Sequence, residues 1–408
     1  MDETPLIMVE DADTLASICE HLHQQAVIGV DTESDSMHHY REKVCLIQIS
    51  DSARDYIIDP LAIEDISALG PVLADPAVVK VLHGADYDVV CLKRDFDFNL
   101  RGIFDTMIAA QFLGLPKVGL ADLIERFFGV HIDKKYQTHD WAMRPLQPEH
   151  VDYARGDTHF LIALREVLSL KLERKGRAHI VAEECALVEQ REWRQRSEVN
   201  AWMHMKGVRR MDETSQRVLR QLHNLRDDRA QAMDRPPYKV FPDQIMTRLA
   251  VRRPTTLDGL HQLGRPRSSM FRRYGEAMLE AVKAGLEDAS PLPEPPPRKK
   301  SGTRSLFGTR ETERFAGLLK EWRAKVRKRD QVPLVLVASN AQLKAIAGVR
   351  PQTLDQLREI DEIRGWQVTL YGEEILEQVH RFEETVEATR SRSGKTSRKR
   401  RKRRRKES

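Results

Sequence analysis

The stretch Ala26–Ser34, AVIGVDTES, runs from an apolar segment straight into two carboxylates, Asp31 and Glu33, one residue apart. Ala26–Val30 has the length and β-branching of a buried strand. Side chains at i and i+2 of a strand share a face, so Asp31 and Glu33 aim together from its end. Two such acids repel each other and resist desolvation unless a cation sits between them. A strand end with two solvated acids fits the same letters, so Asp-x-Glu alone leaves both readings open.

Outward from this stretch the pattern alternates. Pro5–Glu10 reads as a short strand and Asp13–Gln24 as an amphipathic helix. Thr32–Lys43 reads as a loop, followed by strands at Val44–Ser50 (VCLIQIS) and Asp55–Asp59 (DYIID). Strands in such close succession imply an antiparallel meander. A helix near Ile63–Leu73 leads to a strand at Val78–Leu82, and from there to about Leu172 the periodicity is helical. The expected class is α/β, a mixed sheet with helices packed on it.

The 408 residues leave room for two to four domains. Cys19, Cys45, Cys91 and Cys185 lie far apart without metal-ligand spacing, and read as core residues of a reducing compartment. The acidic N-terminal stretch lacks the pattern of a signal peptide, and no run reaches the ~18 apolar residues of a membrane span. The expectation is a cytoplasmic protein with no membrane partner. Its formal charge is +5, yet twelve Lys and Arg lie in Arg390–Lys406. Outside that run and Glu407, 55 basic residues face 61 acidic ones, so the basicity belongs to the tail.

Acids return at two places. His83–Val90 (HGADYDVV) opens a helix with Asp86 and Asp88 in its first turns, and Asp86 there suits the helix dipole. Asp152–Leu168 reads as one long helix entered through Pro148, with Tyr153 and Asp157 at i and i+4 on one face. Asp31, Glu33, Asp88 and Asp157 thus project from ends or edges of core elements. A carboxylate-only set suits hard cations such as Mg²⁺ or Mn²⁺. Two such ions a few Å apart suit phosphodiester hydrolysis. A phenol one helical turn from a ligand can hold the attacking water.

In this order, the motifs resemble the DEDD superfamily of 3′–5′ exonucleases, in its DEDDy subgroup, and most closely the ribonuclease D family with its nuclear-exosome relatives. Asp31-Thr32-Glu33 is similar to the first motif, His83-Gly84-Ala85-Asp86-Tyr87-Asp88 to the second, and Tyr153-Ala154-Arg155-Gly156-Asp157 to the third. Phe104-Asp105-Thr106, Lys135-Tyr136-Gln137 and Asp140-Trp141 through Arg144-Pro145-Leu146 are similar to further landmarks, over roughly Leu6–Leu172. The resemblance implies a ribonuclease H-like core and two divalent ions, Mg²⁺ or Mn²⁺. Asp31, Glu33 and Asp157 would hold the first, Asp31 would bridge to the second, and Asp88 would act on the second through water. Tyr153 would position the attacking water, and the product would be a nucleoside 5′-monophosphate. Ser34-Asp35-Ser36 departs from the bulky or basic residue frequent in relatives, which bears on terminal-nucleotide contacts. His83 reads as a hydrogen-bonded strand-end histidine ahead of a substrate contact.

A repeat follows at an offset of 97 residues: Pro236, Val240, Ala250, Arg253, Pro254, Thr256, Leu257, Asp258 and Leu260 recur as Pro333, Val337, Ala347, Arg350, Pro351, Thr353, Leu354, Asp355 and Leu357. Matching punctuation in register points to duplicated helical domains. They resemble the HRDC domain, which implies nucleic-acid contact through the phosphate backbone. Nine consecutive basic residues near the C-terminus should grip phosphates in a salt-sensitive way. The domain reading is an exonuclease domain over 1–175, a helical connector over 176–211, and all-α HRDC copies over 212–289 and 311–386. A Pro/basic linker over 290–310 and a disordered basic tail over 387–408 complete it. The expected activity is 3′ trimming of RNA with single-stranded 3′ ends, such as tRNA precursors. A DNA exonuclease and a silent RNA-binding scaffold are the rival readings.

Overall fold

The computed structural model describes residues 4–193, 200–263, 269–294 and 309–404, with side chains in the last stretch given for 310–388. The chain divides into two compact units, Met1–Ala109 with Lys117–Pro296, and Ala110–Pro116 with Pro297–Ser408.

The first unit is built on a six-stranded sheet of β1 (Leu6–Val9), β2 (Val27–Ser34), β3 (Val44–Ser50), β4 (Asp55–Ile58), β5 (Val79–Leu82) and β6 (Ile103–Asp105), ordered β1-β4-β3-β2-β5-β6. The expected meander is there: β2, β3 and β4 pair antiparallel. β1 lies parallel beside β4, and β5 and β6 continue parallel from β2. β2 runs further than its apolar letters suggest. Its ladder with β3 continues to Ser34 opposite Val44, with a register shift between Glu33 and Ser34. Asp31 and Glu33 therefore stand on the strand itself, fixed by cross-strand hydrogen bonds.

Helices α1 (Ala12–Leu22), α2 (Leu69–Ala74), α3 (Asp86–Phe96), α4 (Thr106–Leu113), α5 (Leu120–Phe128), α6 (Pro148–His159), α7 (Leu161–Arg174) and α8 (Ala178–Val188) accompany the sheet in the sequence. Three expectations are corrected. The helix before β5 is shorter and later than Ile63–Leu73, occupying Leu69–Ala74. The expected long helix over Asp152–Leu168 is two, meeting at Phe160, which leaves ideal helical geometry at φ −95° and ψ −4°. Strand β6 lies in a region read as helical; at three residues it has no period of its own and exists through pairing with β5. All four cysteines are buried and free, as their apolar surroundings implied.

Beyond α8 the first helical copy comprises α9 (Glu213–Ala232), α10 (Pro237–Val240), α11 (Asp243–Arg252), α12 (Leu257–His261) and α13 (Ser269–Glu287). The second has α14 (Thr309–Asp330), α15 (Asn340–Val349), α16 (Leu354–Arg358) and α17 (Gly365–Arg404). Their contacts repeat at the sequence offset. Arg226 reaches the Phe241 carbonyl and Asp243, as Arg323 reaches the Ala338 carbonyl and Asn340. Arg253 and Arg350 end α11 and α15 in the left-handed region, at φ 50° and 54°. Thr256 and Thr353 then cap α12 and α16 with their hydroxyls. Most of the Pro/basic linker and residues 405–408 of the tail lie outside the described residues. The rest of the tail differs from the expected disorder: the backbone of α17 is helical through Arg404. Lys and Arg are good helix formers, and the run after Gly394 contains no breaker. Among the described residues, no single helix is long and apolar enough to cross a membrane.

Candidate active site

β2 presents Asp31 and Glu33 on one face, and Thr32 between them on the other. α6 lies over the first face. Gly29 makes this approach possible, because a Cβ there would stand 3.0 Å from the Thr158 carbonyl and 3.3 Å from Leu161 Cβ. The approach brings Asp157 to the two acids of β2. One carboxylate oxygen from each of Asp31, Glu33 and Asp157 lies within 4.8 Å of the others.

α6 is locked in this position by β3 and β4. Asp55 of β4 accepts from Arg155 Nε at 2.6 Å and from Ser50 Oγ at 2.7 Å, and lies 2.9 Å from His159 Nδ1. Ser50 Oγ is also 2.7 Å from Thr158 Oγ1. Burial alone would push the Asp55 carboxyl up, but the hydrogen bonds from His159, Ser50 and Arg155 outweigh it and hold it below the usual range. Arg155 and His159, one turn apart, thus anchor the helix and leave Asp157 on the side of the acids.

Asp88 approaches from α3. Its carboxylate accepts from Thr32 Oγ1 at 2.5 Å, so it reaches β2 beside the three-acid cluster, near enough for its charge to act on Asp31, Glu33 and Asp157. The turn that launches α3 is held by Asp105 at the end of β6, which accepts from the backbone N–H of Gly84 at 3.1 Å and of Ala85 at 2.8 Å. Gly84 sits at φ 76°, a conformation that favours glycine. Asp105 also accepts from the N–H groups of Met107 and Ile108, opening α4. His83 Nδ1 lies 2.9 Å from Thr106 Oγ1, which itself donates to the Leu82 carbonyl. His83 is a hydrogen-bonded strand-end residue, as expected, with burial pushing it down to about 4.

Tyr153, one turn before Asp157, packs its ring against Tyr136 and Trp141, with centroids 6.1 and 5.9 Å away. Trp141 is buried, and Arg144 fixes its loop by gripping Asp59 at 2.6 and 2.8 Å. The motif landmarks between the second and third acids therefore build the wall behind the phenol.

The electrostatics of the site is that of acids crowded out of water. Burial first, then Asp88, Asp157 and Glu33, push the Asp31 carboxyl well above the usual range. Burial, Asp157 and Asp88 do the same to Glu33. Asp88 is pushed up to about 6, chiefly by burial, and Asp157 to about 7 by burial and Asp88. Burial and the charges of Asp157, Glu33 and Asp31 push the Tyr153 phenol up, so it keeps its proton at neutral pH.

Residues 6–173 match the sequence model of a 3′–5′ exonuclease domain, and 215–282 and 313–379 match the HRDC domain. Together these matches take in most of the chain. Ribonuclease D of Gluconacetobacter diazotrophicus is 29% identical over 374 residues, 91% of this chain and 92% of that protein. The crystal structure of Escherichia coli RNase D, described as an exoribonuclease involved in structured RNA processing, superposes with a TM-score of 0.68 at 26% identity, covering 93% of this chain and 99% of that one. The chain belongs to the ribonuclease D family. The exosome exonuclease RRP6 of Saccharomyces cerevisiae is 31% identical over 315 residues, 72% of this chain, which spans 43% of that protein's length. The chain joins an exonuclease core to two HRDC copies.

All five residues singled out by the ribonuclease D motifs have a definite place: Asp31, Glu33 and Asp157 converge, Asp88 flanks them, and Tyr153 stands one turn from Asp157. The donor set is all oxygen and all anionic, which fits a hard divalent cation held by Asp31, Glu33 and Asp157. Asp55 and Asp105 were not singled out by chemistry. Asp105 carries a faint signal in its Phe-Asp-Thr landmark; Asp55 has none beyond an acid at a strand start.

Proposed function

We propose that the chain is a divalent-metal-dependent 3′–5′ exoribonuclease that shortens RNA from single-stranded 3′ ends and releases nucleoside 5′-monophosphates, with tRNA precursors among its substrates and the cytoplasm as its compartment. The observation that carries this reading is the convergence of Asp31, Glu33 and Asp157 beside Tyr153 in a chain of the ribonuclease D family. Bound divalent ions, two in this reading, would supply Lewis acidity and neutralise charge on the scissile phosphate. Asp31, Glu33 and Asp157 would hold the first, and Asp88, oriented by Thr32, would serve the second. Tyr153 retains its phenolic proton, so it orients the attacking water rather than deprotonating it. The aromatic wall of Tyr136 and Trp141 keeps that phenol in one rotamer. The HRDC copies and the basic tail supply phosphate contacts outside the site.

The experiment is hydrolysis of one single-stranded RNA oligomer and its DNA twin in Mn²⁺, with the released mononucleotides identified. Preferential release of nucleoside 5′-monophosphates from RNA supports the reading. Faster loss of DNA makes the protein a DNA exonuclease, and binding without hydrolysis makes it a scaffold.

A further inference from the structure

Gln48 is fully buried in the middle of β3, and neither the oxygen nor the nitrogen of its carboxamide has a hydrogen-bond partner among the described residues. Buried polar side chains are nearly always paired, and an exception demands a reason. Its position supplies one. Gln48 is the direct cross-strand partner of Asp31 on β2 and of Ile57 on β4. Opposed side chains on antiparallel strands share a face, with Cβ atoms about 4.5–5.5 Å apart. Leu46 and Ser50, two residues to either side, lie under α6, where Leu46 clusters with Ala154 and Ser50 contacts Thr158. Gln48 is therefore on the floor beneath α6, on the face that carries Asp31 and Glu33. Leu46 and Ile57 show that an apolar side chain is well accommodated there.

We propose that Gln48 is a positioning residue of the metal centre: its amide, which has no partner among the described residues, would turn on cation binding to donate an N–H to the facing Asp31 carboxylate and fix the orientation in which that carboxylate meets the ion. The proposal rests on the reading of Asp31, Glu33 and Asp157 as cation ligands. A donor on one oxygen of a ligating carboxylate leaves the other oxygen presented to the ion, and losing such a partner weakens metal affinity by about 10–100-fold. The same position filled by an apolar side chain would leave no buried atom unpaired. Gln48 thus favours the site at the expense of the fold.

The test uses the full chain without RNA, titrated with Mn²⁺ and followed by the electron paramagnetic resonance of the free ion, for the parent, Gln48→Met, Gln48→Asn and Asp31→Asn. Gln48→Met should bind Mn²⁺ about tenfold or more weakly, melt in chelator no lower than the parent, and recover its hydrolytic rate as Mn²⁺ is raised. Gln48→Asn, whose amide is drawn back by one methylene, should show the same loss of affinity and covers the case in which Gln48→Met does not fold. Affinity within twofold of the parent in a folded Gln48 variant, with Asp31→Asn defective, overturns the role of Gln48 alone. Undiminished binding in Asp31→Asn overturns the metal site itself.

Discussion

Asp157 shows at the residue scale how the site opposes the fold. Its carboxyl is pushed up to about 7, by burial first and then by Asp88. The folded state therefore prefers the protonated form. In metal-free protein, stability is highest below the unfolded value of about 4 and falls as pH rises through about 7. Asp157→Asn removes this effect. Its melting curve in chelator should show a gain of about 1–3 kcal/mol at pH 8 and little change near pH 4; a loss at pH 8 would contradict the electrostatic account. Asp31 with Glu33 and Tyr153 with Asp157 were legible as pairs because their spacing is local, i and i+2 on a strand and i and i+4 on a helix. Asp88 was preferred to Asp86 through the family resemblance. Asp55, Asp105 and Gln48 were not legible, because their meaning comes from Arg155, from Gly84 and from Asp31, which only the fold brings to them.

At the scale of elements, the distance between β2 and α6 decides whether the acids meet. Gly29→Ala would place a methyl 3.0 Å from the Thr158 carbonyl, a backbone atom that cannot turn aside. We expect a stability loss of about 1–3 kcal/mol and a fall in kcat at saturating Mn²⁺ as Asp157 is moved from Asp31. Unchanged kcat would show that the site tolerates the displacement. The meander and the strand reached through a helix were readable from alternation and length. The break at Phe160 was not, since apolar residues continue across it and neither Gly nor Pro marks it. It matters to the site, because α6 ends against β3 and β4 while α7 starts afresh with Leu161 against Gly29.

At the scale of the first unit, the loop that follows the β2 acids is tied to the first helical copy. His39 Nδ1 lies 2.6 Å from Asp234 Oδ2, the Tyr40 N–H donates to Asp234, and the Tyr40 hydroxyl donates to Asp227. The hydrogen bond to Asp234 is the first cause raising the His39 imidazolium above its usual value. A raised histidine contributes fully below its unfolded value of about 6.5 and loses that contribution as pH rises through the higher folded value. Asp234→Asn should therefore destabilise the protein more at pH 6 than at pH 9, by at most about 1 kcal/mol because the pair is partly exposed. Equal effects at both pH values would remove the charge from the explanation.

The 97-residue repeat was readable because its turns and caps repeat in sequence, and Arg226 with Arg323 shows that the internal contacts repeat as well. The tail was read as disordered because it offers no apolar residue to pack, whereas its backbone is helical through Arg404. Deleting 390–408 should weaken RNA binding and flatten its dependence on salt, since counterion release scales with the phosphates contacted. An unchanged slope in filter-binding titrations would show that the tail does not touch RNA.

The central claim is that the acids gathered on β2 and α6 cut RNA from its 3′ end. It is tested most directly with a single-stranded RNA labelled at its 5′ end and incubated with the parent protein or Asp157→Ala, in Mn²⁺ or in chelator. The account predicts a ladder that shortens progressively from the 3′ end with parent protein and Mn²⁺, and intact RNA in the other three arms. A ladder that persists with Asp157→Ala or in chelator would contradict it.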